Sequence, residues 1–392
     1  MSPNTLSHRP ESNAEGPRRY AMISTLPPTA CGLATFGAAL SRSLATRPGV
    51  RMDGIRVIDS AEMAEPTSSR SMNWFIDRED SLDEVIECSS AYDGVFIQHE
   101  YGIFGPNDGS AIVDLLEHIS VPSITTLHTV PLHPSPNQRH LLEAVVDRSS
   151  FSVTMTKSAR SRLVEMYDVD ASKVACIPHG ASIPSGAAYI EPTPYKLLTW
   201  GLIGPGKGIE HVIEAIALLV DAYPEIEYVV AGATHPKVLA REGEKYRDGL
   251  IDLAERLGVS DHVVFDPHYR TLDELDALVL DSELVVLPYD SPDQITSGVL
   301  VDAVTAGKPV LATDFPHARE LSRGGAVRVV PRRTALELAR GMDHILGSRS
   351  TRTFMRQAAR RLAPQHSWPN VARSYTRLMR SAGSRQSRQF AS

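Results

Sequence analysis

Short, uninterrupted apolar runs alternate along this chain with longer segments whose apolar residues recur every three or four positions. A run of that kind bounded by turn residues is a strand buried on both faces, and the three-to-four spacing marks one face of a helix. The first half predicts strands at 20–24, 54–58, 94–98, 123–127, 151–155 and 174–177, with helices at 33–45, 81–90, 108–119, 137–147 and 157–167. The second half repeats the alternation, with strands at 197–202, 227–231, 262–265, 284–287, 310–313 and 326–330. Its helices are predicted at 209–222, 236–257, 272–280, 298–306, 335–346, 351–362 and 370–381. Such alternation builds parallel sheets covered by helices on both faces. The stretch 181–195, rich in proline and glycine and without a period, reads as a linker. The fold class is therefore α/β: two Rossmann-like, doubly wound units of similar size (20–185 and 196–365), then a C-terminal helix at 366–381. Two such units face each other across a cleft, with ligands expected at the carboxyl ends of the strands.

Composition adds limits. At 392 residues the chain is too long for one ordinary core. Its 42% hydrophobic and 22% charged residues are the balance of a globular protein. A net charge of −7 and a pI near 6.1 argue against nucleic acid as the main partner. Cys31, Cys88 and Cys176 form no C-x-x-C pair, which fits a reducing cytoplasm rather than a disulfide framework or zinc ribbon. No apolar run approaches the roughly 20 residues that span a bilayer. Residues 1–19 lack the apolar stretch of a secretory signal and read, like 382–392, as disordered.

Candidate chemistry concentrates in Leu197-Leu-Thr-Trp-Gly-Leu-Ile-Gly-Pro-Gly-Lys-Gly-Ile-Glu210, an apolar run, a glycine-rich turn and then a helix. Glycines let backbone amides approach an oxyanion, the helix start adds partial positive charge, and Lys207 next to Gly206 adds a full one. The turn is not a P-loop, because Gly208 stands where Ser or Thr would hold magnesium. It is not a dinucleotide fingerprint either, because Ile209 replaces the third glycine. A plain strand-to-helix turn with a solvated lysine would carry the same letters.

A second anion site is predicted downstream. The segment 284–310 reads as strand, polar loop and small-residue helix, so the amides of Thr296, Ser297, Gly298 and Val299 can point at phosphate oxygens. Gln294 precedes that helix and Asp302 lies about one turn inside it. Ser297 alone reads better as an N-cap, and Asp302 could merely offset the helix dipole. The histidines His99, His128, His133 and His179 fall near strand ends without metal-ligand spacing, so no metal site is predicted.

Taken together, 197–215 and 288–310 resemble the donor half of the family 4 glycosyltransferases, two-domain GT-B enzymes. Pro27-Pro-Thr-Ala-Cys-Gly-Leu-Ala-Thr-Phe36 is similar to the glycine loop that opens their acceptor domain. Gln98-His-Glu-Tyr-Gly-Ile-Phe-Gly105 and Thr125-Thr-Leu-His-Thr129 resemble cleft loops, and Ile177-Pro-His-Gly180 resembles the end of that domain. His366-Ser-Trp-Pro-Asn-Val371 is similar to the lead into a helix that packs back on the first domain. The resemblance implies a retaining hexosyltransferase of polysaccharide biosynthesis, using a GDP- or UDP-sugar donor, a saccharide or lipid-linked acceptor, no cofactor and no required metal. It also implies a cytoplasmic protein whose relatives often act at a membrane surface; the Arg-containing stretch 158–167 is compatible with peripheral contact at the inner face but reads better as a solvated helix face.

By position, the resemblance assigns the donor diphosphate to Lys207, Gly206, Gly32 and the backbone from Thr296 to Val299. Gln294 would hold sugar hydroxyls, Asp302 the ribose, and His128 the transferred sugar, with Lys207, His128 and Gln294 closest to the chemistry. From the residues themselves, His99 is a candidate acceptor contact with a plain core-edge role equally open, and the flexible 102–109 loop carries an exposed-looking Phe104 suited to stacking on an acceptor sugar or to a lid, or is a plain loop. Leu202 stands where the family commonly has Arg, a charge that Arg270 or Arg319 would have to supply. Gln294 and Asp302 replace the usual Glu pair. Two alternatives share this fold: a phosphorylase or sugar-nucleotide epimerase, and a catalytically silent sugar-nucleotide-binding module.

Overall fold

The computed structural model describes residues 17–29, 31–59, 71–78, 80–184, 191–268 and 270–389. Among these, the strands form two parallel sheets. The N-terminal sheet comprises β1 (Arg18–Ser24), β2 (Val50–Ile58), β3 (Ser71–Phe75), β4 (Gly94–His99), β5 (Ser123–Leu127), β6 (Phe151–Thr154) and β7 (Val174–Cys176), in the order β3-β2-β1-β4-β5-β6-β7. The second comprises β8 (Lys196–Trp200), β9 (Glu227–Ala231), β10 (Val263–Asp266), β11 (Leu284–Leu287), β12 (Val310–Thr313) and β13 (Val327–Val330), in the order β10-β9-β8-β11-β12-β13. In each sheet the order reverses beside the first strand, which opens a crevice between β1 and β4 and between β8 and β11.

Period-two alternation explains why the strands read as continuous apolar runs. Leu197 and Tyr228 enter one core while Leu198 and Val229 enter the core on the opposite face. Ala21 and Met22 divide in the same way in the first unit. The last helix, Trp368–Gln389, buries Val371, Ala372, Tyr375 and Met379 in the first unit's core, and its Tyr375 hydroxyl lies 2.9 Å from the Thr126 hydroxyl. Between the units, Glu320 accepts from the amides of Lys157 and Ser158 (both 3.1 Å), and Thr156 donates to the carbonyl of Ile295 at 3.1 Å.

Several elements depart from the pattern-based expectation. β3 was not predicted: it is an edge strand of mostly half-buried residues, without the unbroken apolar run of the interior strands. The single helix expected at 236–257 is two, Pro236–Glu242 and Lys245–Arg256, because Gly243 adopts a left-handed backbone (φ 63°) between them. The helix expected at 108–119 begins at Ala111, since Asn107 and Asp108 have φ of 55° and 60°. Residues 382–389 of the expected disordered tail continue the last helix and Arg18 and Arg19 of the expected leader at 1–19 begin β1, because they pair with Val50 and Arg51 of β2, whereas residues 1–16 lie outside the described residues.

Candidate active site

One cleft of about 600 Å³ lies between the two units, at the carboxyl ends of their strands. One side of its floor is formed by Gly201, Leu202 and Lys207 of the glycine turn after β8, whereas Gly206 is exposed outside the lining. Gly201, Gly206 and Gly208 have φ of 121°, 85° and 69°, and Gly208 is the N-cap of the helix Ile209–Ala217. A Cβ on Gly208 would lie 1.9 Å from the carbonyl oxygen of Pro288, and one on Gly232 would lie 2.0 Å from that of Gly201, so these turns nest only as glycine. The Asp290 amide donates to the Gly206 carbonyl at 3.0 Å, which clasps the loop after β11 to the turn. Half-buried Lys207 faces the cleft, its ammonium 4.5 Å from the centre of the Tyr289 ring.

The loop after β11 brings in Gln294, Thr296, Gly298, Val299 and Asp302, all lining the same cleft. The amides of Gly298 and Val299, at the start of the helix Gly298–Thr305, have no acceptor within the helix. Gln294 folds onto its own loop, its amide donating to the Thr296 carbonyl at 2.5 Å. Asp302 is half-buried, and burial with the nearby Asp276 pushes its carboxyl up to about 7.

Ser297 does not face the ligand space. Its hydroxyl caps the Leu300 amide at 3.2 Å, and its own amide donates to Nδ1 of His317 at 2.9 Å. Burial holds His317 neutral, its pKa at about 3, so Nδ1 stays an acceptor. The cap reading of Ser297 prevails over the phosphate-binding one. Ser297→Ala is expected to cost about 1 kcal/mol of stability in urea unfolding while changing nucleotide affinity less than tenfold.

Across the cleft, Gly32 starts the helix Gly32–Ala45, with open space where a Cβ would project. His128 follows β5. Its Nε2 donates to Gln98 Oε1 at 2.8 Å, and burial holds it neutral with a pKa near 3, which leaves Nδ1 as an acceptor. The other first-unit assignments fail. His99 is fully buried, packs its ring on Tyr101 and does not line the cleft, because it sits at the end of β4 with its side chain turned into the core. Phe104 is also fully buried, 5.6 Å from Trp74, and so is a core residue rather than a stacking ring. Arg319 is tied to Asp314 outside the cleft, whereas Arg270 lines the cleft and pairs with Asp266. Leu202 also faces the cleft.

Pattern reading missed four contributors. Glu100 faces the cleft, accepting from the Thr129 hydroxyl at 2.5 Å, and burial raises its pKa. The His179 ring lies 3.2 Å from where a Cβ on Gly298 would stand, packed on Phe36 beside the start of the helix Gly298–Thr305. Arg42 and Asp276 reach the cleft from helices whose facing side only the tertiary structure fixes. Outside the cleft lining, Glu210, His211 and Asp290 bring ligand-type atoms within 4.8 Å of one another. There Tyr246 donates to Glu210 at 2.7 Å and Arg333 pairs with Asp290 at 3.3 Å, as in a structural polar network.

Two facing doubly wound units around such a cleft place this chain in the GT-B class. Residues 187–362, just under half of the chain, match the family described as glycosyl transferases group 1. The chain is 25% identical over 264 residues to the D-inositol 3-phosphate glycosyltransferase of Corynebacterium urealyticum, covering 64% of this chain and 61% of that protein. It is 26% identical over 276 residues to the protein of that name from Nocardia farcinica, covering 64% and 59%. The chain thus spans about three fifths of the length of these curated relatives. Sucrose-phosphate synthase from Thermosynechococcus elongatus shares the fold with a TM-score of 0.73 at 16% identity, over 93% of this chain and 98% of that one. HepE of Anabaena, solved in complex with UDP, does so with a TM-score of 0.71 at 16% identity, over 93% and 100%. Among the described residues, no helix is long and apolar enough to cross a membrane.

Proposed function

We propose that this chain transfers a sugar from a nucleotide-sugar donor to a hydroxyl of a saccharide or lipid-linked acceptor, with retention at the anomeric carbon and no resident metal. One observation carries the reading: Lys207, the start of the helix Gly298–Thr305 and Gly32 at the start of the helix Gly32–Ala45 line a single cleft. In the reaction, the bond between the anomeric carbon and the diphosphate oxygen breaks, and its electron pair stays on the phosphate. Lys207 and the free amides of Gly298 and Val299 meet that developing charge. The acceptor oxygen bonds to the anomeric carbon on the face the phosphate leaves, and its proton passes to the departing phosphate oxygen. His128 Nδ1 and Gln294 orient the sugar.

The test incubates GDP- and UDP-sugars with saccharide and lipid-linked acceptors, follows nucleotide release and assigns the product anomer by NMR. Release that needs inorganic phosphate instead of an acceptor would indicate a phosphorylase. Binding without turnover on every acceptor would indicate a silent module. Activity undiminished by EDTA is the expected outcome for a reaction without a metal.

Asp302 adds a pH dependence. It accepts from ribose hydroxyls more strongly when ionised, with both oxygens free to accept, and burial with Asp276 has pushed its pKa to about 7. Donor affinity is therefore expected to rise between about pH 6 and pH 8, and Asp302→Asn to flatten the rise. An affinity that falls over that range would remove Asp302 from the ribose.

A further inference from the structure

Beyond Asp302 the cleft runs into a slot walled by the helix Leu272–Asp281. Leu272, Leu275, Asp276 and Val279 share one face of that helix, and all of them line the cleft. Ala306, just past the helix Gly298–Thr305, faces the same space. At a rise of about 1.5 Å per residue, Asp302 lies about 6 Å and Ala306 about 12 Å along the helix from Gly298. A diphosphate at Gly298 therefore puts a ribose beside Asp302 and a base between Ala306 and the leucine wall.

The apolar walls suit a flat ring but do not choose one. The choice rests on the slot's polar groups: Asp276, with Arg270 and His268 at its rim. An ionised carboxylate only accepts hydrogen bonds, and a guanidinium only donates them. Arg270 pairs with Asp266 through one terminal nitrogen, while its Nε is buried without a partner. The slot thus offers an acceptor on one wall, and Arg270, which lines the cleft and reaches Asp266 through one terminal nitrogen, offers the other terminal nitrogen as a donor at the rim.

Resting on the transfer reading above, we infer that the donor's nucleoside is guanosine, with Asp276 accepting from the base's N1–H and N2 amine and Arg270 donating to O6. Guanine presents two adjacent donors beside one carbonyl. Uracil presents a single N–H between two carbonyls, which would set an oxygen against the carboxylate. Adenine and cytosine each place an amine beside a bare ring nitrogen, and so offer half the match. Burial together with Asp273 raises the pKa of Asp276, and hydrogen bonds from the base stabilise its ionised form.

Calorimetric titration of the full chain with GDP, UDP and IDP tests the assignment, since IDP lacks only the N2 amine. GDP is expected to bind about 10- to 100-fold tighter than UDP, with IDP between them. Asp276→Asn, at a half-buried helix position, is expected to bring GDP and IDP to within about twofold, with circular dichroism confirming the fold. UDP binding as tightly as GDP, or a GDP/IDP ratio unchanged by Asp276→Asn, overturns the guanosine assignment and leaves sugar transfer standing. Failure of all three diphosphates to bind overturns sugar transfer and the guanosine assignment with it.

Discussion

Replacing Lys207 with alanine is expected to lower turnover by about 10²-fold or more, with a much smaller change in donor affinity. The distinction follows from where charge appears. A diphosphate in the ground state is already anionic and is also met by the helix starts at Gly32 and Gly298, so losing one cation weakens binding modestly. Breaking the bond to the anomeric carbon adds charge to the leaving oxygen, and interactions stronger in the transition state than in the ground state act on kcat. On the proposed reading, Lys207 is held in place to meet that charge. Its ammonium rests 4.5 Å from the Tyr289 ring centre, and its turn is clasped to Asp290 through the Gly206 carbonyl. Tyr289 is itself buried and stacked on Phe315, with ring centres 5.4 Å apart, so the platform under the lysine is fixed. Lys207→Arg keeps the charge but not the point-like ammonium geometry, and is expected to recover only part of the loss. Initial rates of nucleotide release across donor concentrations separate the two parameters. A kcat close to that of the unmodified protein would remove Lys207 from leaving-group stabilisation.

The parts of this fold that show in the sequence are those where local pattern and tertiary burial agree. Strands such as Leu284–Leu287 are buried on both faces, so their apolar runs carry no ambiguity. β3 lies at the sheet's edge as Ser-Met-Asn-Trp-Phe and has only one side chain to hide, Trp74. The site divides along the same line. A glycine turn and a helix start are local objects, and Lys207, Gly298 and Val299 could be found from spacing alone. Strand parity was the harder question: of Gln98, His99 and Glu100, the middle residue turns into the core, while Gln98 supports His128 and Glu100 reaches the cleft. Asp276 and Arg42 carry no motif, and the one that holds His179 gives it no role, because which side of a helix or linker meets the cleft depends on how the two units face each other. Ser297 shows the reverse case, where the commonplace role of a serine before a helix was the correct one.

The glycine turn supplies the second large effect, through two residues that look equivalent in sequence. Gly206 and Gly208 both have positive φ, 85° and 69°, so an alanine at either carries backbone strain of about 1–2 kcal/mol. Their surroundings differ. Nothing lies within 4 Å of a Cβ on Gly206, whereas one on Gly208 would sit 1.9 Å from the Pro288 carbonyl oxygen. That oxygen is backbone at the end of β11, so it cannot rotate away as a side chain would. Gly208→Ala must push the turn and the loop after β11 apart, and these two segments carry Lys207 and the Gly298 helix start. Gly206→Ala is therefore expected to lower stability by about 1–2 kcal/mol in urea unfolding with nucleotide affinity kept within about threefold. Gly208→Ala is expected to lower stability further and to weaken nucleotide binding by about tenfold or more, because a separation of about 1 Å between phosphate donors already costs heavily in alignment. Equal affinities in the two variants would mean that the diphosphate does not bridge these segments. Weakened binding in Gly208→Ala alone would place the nucleotide across the seam between them, where Pro288 and Gly208 touch.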